Sequence, residues 1–390
     1  MTYIYILGGL ALVASALLIW RVRPTARAAQ TNGAARRCPF HIFFSSRKDN
    51  GSEKSKPATG LNWNESYLDG SAAAEAAFIE QALRDINTVQ EMNKARGHAQ
   101  TYGRAFHAKI QAGVKNAIFR IAPDLPESLR VGHFQPGKEY PAAVRLSNAS
   151  GLVQPDTAKD LRGIAVRVFV GDKEIHDYLG TNGSVNHARN ARQFIQFAKA
   201  GAGSRLLMLP RLICSVGLSE TVRMLRTVIK QSSRPVESLC QETYWSRAPY
   251  LFAKLALKFQ FTPSKSEALQ VEKTENYLRA DLLARLRLGD VVFDYQVQLF
   301  QDETSTPIED GAVEWASPLI TVAQLLIPQQ DLNENSALAA QAEVENLEFN
   351  PWNTSALFRP LGSLNRARRL VYEASVKLRK SLGAPASSRL

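Results

Sequence analysis

Asp160-Leu-Arg-Gly-Ile-Ala-Val-Arg-Val-Phe-Val170, then a Gly171-Asp172 step, then Ile175-His-Asp-Tyr178: this passage decides the fold. Two extended runs joined by turn residues read as neighbouring antiparallel strands. Upstream, Leu129-Arg-Val-Gly-His-Phe134 reads as extended, reaches a Pro136-Gly137 turn and continues as Tyr140-Pro-Ala-Ala-Val-Arg-Leu-Ser147. Downstream, strands are expected over 253–262, 291–300 and 320–326. Helical texture interrupts the series near Ala188 and over 205–231, and Leu364 to Lys380 forms a strongly basic terminal helix. Successive strands with interrupting and terminal helices indicate an α+β fold, a closed antiparallel β-barrel with helices packed outside it.

The folded domain is expected to span residues 71–383. Ser71 suits a helix N-cap, and Glu75 sits in the first turn. Phe78, Ile79, Leu83, Ile86, Val89 and Met92 then recur at three- and four-residue steps until Gly97. Residues 23–70, rich in Ala, Ser, Gly, Asn and charge, read as a flexible tether. Residues 1–22 read as a single transmembrane helix: Tyr3 to Trp20 is 18 residues without a charge, with aromatic rings at its ends. Arg21, Arg23 and Arg27 follow it and no Lys or Arg precedes it, so the positive-inside bias places the domain in the cytoplasm. The rival is an export signal with a periplasmic body, which the triplet Ala26-Arg27-Ala28 keeps open.

With 390 residues, 45% of them hydrophobic, the chain has enough apolar content for a sizeable core. Its net charge of +12 is spread along the sequence with no nucleic-acid-binding signature, so nucleic acid is not the expected partner. A membrane surface or bound carboxylates would account for the charge as well, but a plainly solvated basic surface is the first reading. Three cysteines without CxxC spacing argue against a disulfide framework or a Cys-rich metal site, and fit a reducing compartment.

Two separated motifs carry the chemistry: Arg104-Ala-Phe-His107-Ala-Lys109, and Arg368-Arg-Leu-Val-Tyr372-Glu-Ala-Ser-Val-Lys-Leu-Arg379. Alone, His107 reads as a packing histidine and Tyr372 as a half-buried ring on a solvated basic helix. On that helix Arg368, Tyr372 and Arg379 lie at i−4, i and i+7, along one face. Between the two motifs come Phe134-Gln-Pro-Gly-Lys138, Val144-Arg145-Leu-Ser147-Asn148 and Asp160-Leu-Arg162-Gly163-Ile-Ala-Val-Arg167. In this order and spacing the set resembles the haem domain of catalases. The late Asn350-Pro-Trp-Asn353 and Arg359-Pro-Leu-Gly-Ser-Leu-Asn-Arg-Ala-Arg368 resemble the small catalase-related haem proteins, of mini-catalase or allene oxide synthase type. The resemblance covers residues 100–379.

The resemblance implies haem b as cofactor and a peroxide as substrate. His107 would be the distal base, suited by an ordinary pKa near ~6.5 to accept and return a proton. Ser147 would take a hydrogen bond from its other ring nitrogen, and Asn182 would position the peroxide. Tyr372 would ligate the iron, with Arg368 favouring its phenolate. Arg104, Arg145 and Arg379 would hold the propionates.

Departures from the family pattern bear on the substrate. His187 stands where catalases place an aromatic over the haem, Phe194 keeps an aromatic a little later, and Phe106 replaces a small aliphatic residue. Together with the apolar, Arg-flanked 206–218 segment, which reads as a core helix or an interfacial one, they point to organic or lipid hydroperoxides besides hydrogen peroxide. The alternatives are rearrangement of a fatty-acid hydroperoxide and a non-enzymatic haem sensor or carrier. A homo-oligomer is compatible with the sequence.

Overall fold

A computed structural model describes residues 59–96, 104, 106–172, 174–202, 205–265, 269 and 271–380, all within one compact unit, Ser55–Leu390. The expected transmembrane helix and residues 23–58 of the tether lie outside the described residues. Among the described residues no helix is long and apolar enough to cross a membrane.

Nine strands make up the sheet: β1 (Ile110–Ile121), β2 (Glu139–Asn148), β3 (Arg162–Phe169), β4 (Ile175–Thr181), β5 (Tyr244–Trp245), β6 (Tyr250–Phe252), β7 (Leu255–Pro263), β8 (Val291–Leu299) and β9 (Leu319–Ile327). Every pairing is antiparallel, in the order β5-β4-β3-β2-β1-β9-β8-β7-β6. A further β5–β7 pairing, Tyr244 opposite Phe261, closes eight strands into a barrel and leaves β6 as a short flap on β7. Closure leaves those eight strands without a free edge. The decisive passage of the sequence forms β3 and β4, paired from Gly163↔Thr181 to Phe169↔Ile175.

Two local expectations need correcting. Leu129–Phe134 is a series of tight turns, not a strand, with Gly132 at φ +55° and Phe134 N–H bonded to Val131 O at 2.9 Å. The first barrel strand is instead β1, a stretch for which the sequence suggests no separate strand.

The barrel is filled by a mainly apolar, aromatic cluster that includes Phe119, Phe134, Phe259, Phe261 and Phe293, each 2% exposed or less. Each such ring contributes about 1.5–3 kcal/mol of burial free energy. Among the described residues seven α-helices accompany the barrel: α1 (Ala72–Arg96), α2 (Ala191–Ala202), α3 (Arg205–Val216), α4 (Leu218–Ser232), α5 (Tyr277–Leu288), α6 (Asn335–Asn346) and α7 (Ser363–Lys380). Helix α1 starts where expected, with Ser71 Oγ accepting from Ala74 N–H at 3.1 Å. Ile79 of α1, Ala191 of α2 and Ala367 of α7 bury together. Arg366 fixes the start of α7 by pairing with Glu65, Glu75 and Glu309. Helix α6 lies so close to β1 that a Cβ on Gly113 would stand 2.9 Å from Val344 Cβ.

Candidate functional site

The strand register brings Ser147 of β2, Gly163 of β3 and Thr181 of β4 into one row across the sheet. His107, on the segment entering β1, lays its ring on that row. Its imidazole is 3.1 Å from Ser147 Oγ through Nδ1. Gly163 makes the approach possible, since a Cβ there would lie 2.5 Å from His107 Cε1 and 2.6 Å from Nδ1. The backbone is held as firmly, at φ +61°, unusual for a non-glycine residue. His107 N–H donates to Ala149 O at 3.1 Å, and its carbonyl accepts from Arg145 Nη2 at 2.9 Å. Burial, helped by the Arg145 charge, pushes the His107 pKa down to about 3. The ring is therefore neutral at ordinary pH. When Nδ1 carries the proton it donates to Ser147, and Nε2 keeps the lone pair of a base.

Starting from Phe106, the residue before His107, the structure brings together the aromatic residues that the sequence singled out. Phe106 meets Phe194 edge-on at 6.2 Å between centroids. His187 lies 5.5 Å from Phe194 and 4.4 Å from Phe197, one turn further along α2. The sequence reading missed Phe197. His187 Nε2 is buried without a hydrogen-bond partner, and burial holds its pKa near 3.

Asn182 is buried and clamped at both ends of its amide. Oδ1 accepts the Arg162 backbone N–H at 2.6 Å, and Nδ2 donates to Glu242 Oε2 at 2.9 Å. Glu242 is itself buried and paired with Arg234. One of the two amide hydrogens of Asn182 is thus committed to a carboxylate 60 residues away, and any bond to a substrate falls to the other.

On α7, Arg368 Nη2 reaches Tyr372 Oη at 3.4 Å, while Nη1 donates to Asn365 Oδ1 at 3.0 Å. Burial works against the Arg368 charge, but the Tyr372 and Tyr250 phenols outweigh it and raise the pKa. The Arg368 charge is also close enough to add to the depression of His107. Two further residues here were not expected from sequence. The Tyr250 hydroxyl is buried beside the Arg368 guanidinium, without a hydrogen bond of ordinary geometry. Arg247, at φ +60°, donates only to neutral oxygens, Val185 O at 2.9 Å and Thr181 Oγ1 at 3.2 Å.

Arg145 and Arg104 converge on Glu345 of α6. Arg145 Nε is 2.7 Å from Glu345 Oε2, and Arg104 Nη2 donates to the carbonyls of Glu345 at 2.7 Å and Leu347 at 3.0 Å. Arg379 lies within α7, but its side chain is outside the described set. Among the described residues no cluster of His, Cys, Asp or Glu could hold a bare metal ion. The donor set is instead a phenol beside a guanidinium whose charge reaches a buried neutral imidazole, with His187 Nε2 buried and unpaired. That set fits a tyrosine-ligated haem.

A model of the catalase family matches residues 68–204, which hold His107, Ser147, Asn182 and Phe194. A catalase-related peroxidase of Mycolicibacterium paratuberculosis is 25% identical over 303 residues, covering 73% of this chain and 92% of that protein. Among solved structures, a bacterial catalase aligns with a TM-score of 0.55 at 18% identity, over 73% of this chain and 59% of that one. A fungal catalase aligns at 0.58 and 17%, over 73% and 61%. Catalase A from Saccharomyces cerevisiae aligns at 0.57 and 15%, over 73% and 62%. Residues 68–204 thus match the catalase family, and the domain resembles the haem domain of the catalase superfamily. The chain spans less than two thirds of the length of those solved catalases. The family match ends at residue 204 and so stops short of Arg368 and Tyr372; the i, i+4 contact on α7 supports that half of the site.

Proposed function

We propose that this chain is a haem b enzyme that processes peroxides, acting on organic or lipid hydroperoxides as well as hydrogen peroxide. The observation that carries the reading is His107: neutral, fixed against Ser147 and Gly163, and within reach of the charge of Arg368 beside Tyr372. Bound haem would supply the iron at which the peroxide O–O bond is cleaved and the redox capacity that follows. Tyr372 would hold it as phenolate, favoured by Arg368. Arg104, Arg145 and Arg379 would take its propionates, in competition with Glu345 for the first two. His107 Nε2 would accept the peroxide proton and deliver it to the departing oxygen, a transfer worth about 10²–10⁴ in rate. Ser147 would keep the tautomer that allows this. The remaining amide hydrogen of Asn182 would orient the peroxide, and Phe106, Phe194 and His187 would shape the space above the porphyrin.

The lipid preference is supported by Leu206, 89% exposed, together with the exposed Leu207 and Leu218 on the α3–α4 pair. An N-terminal anchor, as the sequence suggests, would hold the chain at a bilayer and raise the effective concentration of a membrane-borne substrate. The test is to add hydrogen peroxide or a fatty-acid hydroperoxide to haem-loaded protein while recording oxygen release and the Soret band. A Soret response to peroxide is expected. Bound haem that responds to neither peroxide would leave a carrier, not an enzyme.

A further inference from the structure

Apart from the His107–Tyr372 site, the core includes a connected set of four titratable rings. Tyr178 of β4, Tyr295 of β8, His133 and His176 are all 6% exposed or less. Apolar side chains would fill this space at lower cost, since each buried polar group must recover its lost hydration. The rings form a continuous series. Tyr250 contacts Phe259 at 5.1 Å between centroids, and Phe259 contacts Tyr295 at 5.4 Å and Tyr178 at 5.5 Å. Tyr178 and Tyr295 are 5.1 Å apart. Tyr178 Oη is 3.0 Å from His133 Nε2, and the His133 ring lies 4.2 Å from that of His176. At one end Tyr250 faces Arg368 and Tyr372. At the other, His176 Nε2 is 3.0 Å from Glu174 Oε1, whose side chain is 54% exposed.

We propose that this series is a redox relay, in which Tyr178, with His133 as its proton acceptor, passes single electrons between the surface at Glu174 and the Tyr372 side of the site. The proposal rests on the peroxide reading above. Burial holds the Tyr178 and Tyr295 phenols far above their ordinary pKa, so no phenolate is on hand to give up an electron. Oxidising a neutral phenol makes it strongly acidic, and the proton needs an acceptor within hydrogen-bond reach. Tyr178 has one in His133. The other nitrogen of that ring, Nδ1, is buried without a partner, an expense that a purely structural role does not explain.

A hydroperoxide takes two electrons and two protons to give an alcohol and water. For each electron, the Tyr178 O–H bond breaks: the electron leaves by way of Phe259 and Tyr250 toward Tyr372, the proton moves to His133 Nε2, and a neutral phenoxyl remains. A phenolic donor at the Glu174 end then loses one electron, which restores Tyr178 as His133 returns its proton. The donor's own proton goes to solvent and replaces one of those consumed. Two passes oxidise two donors to phenoxyl radicals and complete the reduction.

The experiment is freeze-quench electron paramagnetic resonance of haem-loaded protein mixed with cumene hydroperoxide, with the Soret band followed in parallel. Wild type is expected to show a tyrosyl radical that falls to background in Tyr178→Phe. In His133→Gln, which keeps a hydrogen-bonding partner but removes the base, the radical yield is expected to fall several-fold. That second variant also serves if Tyr178→Phe does not fold. An undiminished radical in both variants, or no radical while the Soret band responds, overturns the relay and leaves the peroxide reading standing. No Soret response in wild type overturns the peroxide reading, and the relay with it.

Discussion

Gly163→Ala isolates the placement of His107 from every other feature of the site. The added methyl would start 2.5 Å from His107 Cε1, 2.6 Å from Nδ1 and 3.2 Å from Ser147 Oγ. To regain ordinary contact the ring must recede by about 0.9 Å. The strand cannot yield instead, because Gly163 is paired on both sides, with Ser147 and with Thr181. Nor can His107 easily swing away, since its backbone sits at φ +61° and is bonded to Ala149 and Arg145. Overpacking of this size costs about 1–3 kcal/mol of stability, which a well-folded domain survives. The effect on catalysis is larger: a displacement of about 1 Å costs on the order of 10²-fold, and full loss of the proton transfer up to about 10⁴. The expected result is a folded variant that binds haem with a near wild-type melting temperature while kcat/KM for peroxide falls by about two orders of magnitude. Wild-type kcat/KM in a variant with the same fold would refute the assignment of His107 as the base.

Two further outcomes follow from the same structure. With and without residues 1–60, kcat/KM for a fatty-acid hydroperoxide on vesicles is expected to exceed that for hydrogen peroxide, and the margin should shrink in the truncated chain; a strong hydrogen peroxide preference in both would sink the lipid reading. Haem-free protein is expected to lose stability as pH falls below about 6.5, because burial holds His107, His133 and His187 near 3, 2 and 3. The unfolded chain then takes up protons that the native state does not, at a cost of up to about 1.4 kcal/mol per histidine per pH unit. Urea midpoints at pH 7 and pH 5 measure the loss, and His133→Gln should make it smaller; a midpoint indifferent to pH would mean these rings are not held neutral.

Much of the architecture was legible because it rests on local signals. Turn residues at Gly171-Asp172 mark the β3–β4 hairpin, and Ser71 with the apolar spacing after it marks α1. Strand β1 was harder to see, since Gly113, Lys115 and Asn116 interrupt its apolar pattern and its register shifts against β2. Leu129–Phe134 misled for the opposite reason: Leu129 and Phe134 are buried from a chain of turns that the positive φ of Gly132 allows. At the site, the His107–Ser147 and Arg368–Tyr372 contacts follow from motif and helix spacing. The partners that reach them from afar do not. Glu345 meets an arginine 241 residues away, and Glu242 meets Asn182 across 60. Arg247 and Tyr250 belong to the site through barrel closure, which no spacing along the chain encodes.

The central claim, that this domain holds a haem between His107 and Tyr372, is tested most directly by titrating ferric haem into the purified chain and into Tyr372→Phe. Wild type is expected to bind one haem per chain with the absorption spectrum of a phenolate-ligated ferric iron. In Tyr372→Phe, which keeps the ring and so the packing of α7, that spectrum should be lost and binding weakened. An unchanged spectrum in the variant, or no stoichiometric binding by wild type, would contradict the account.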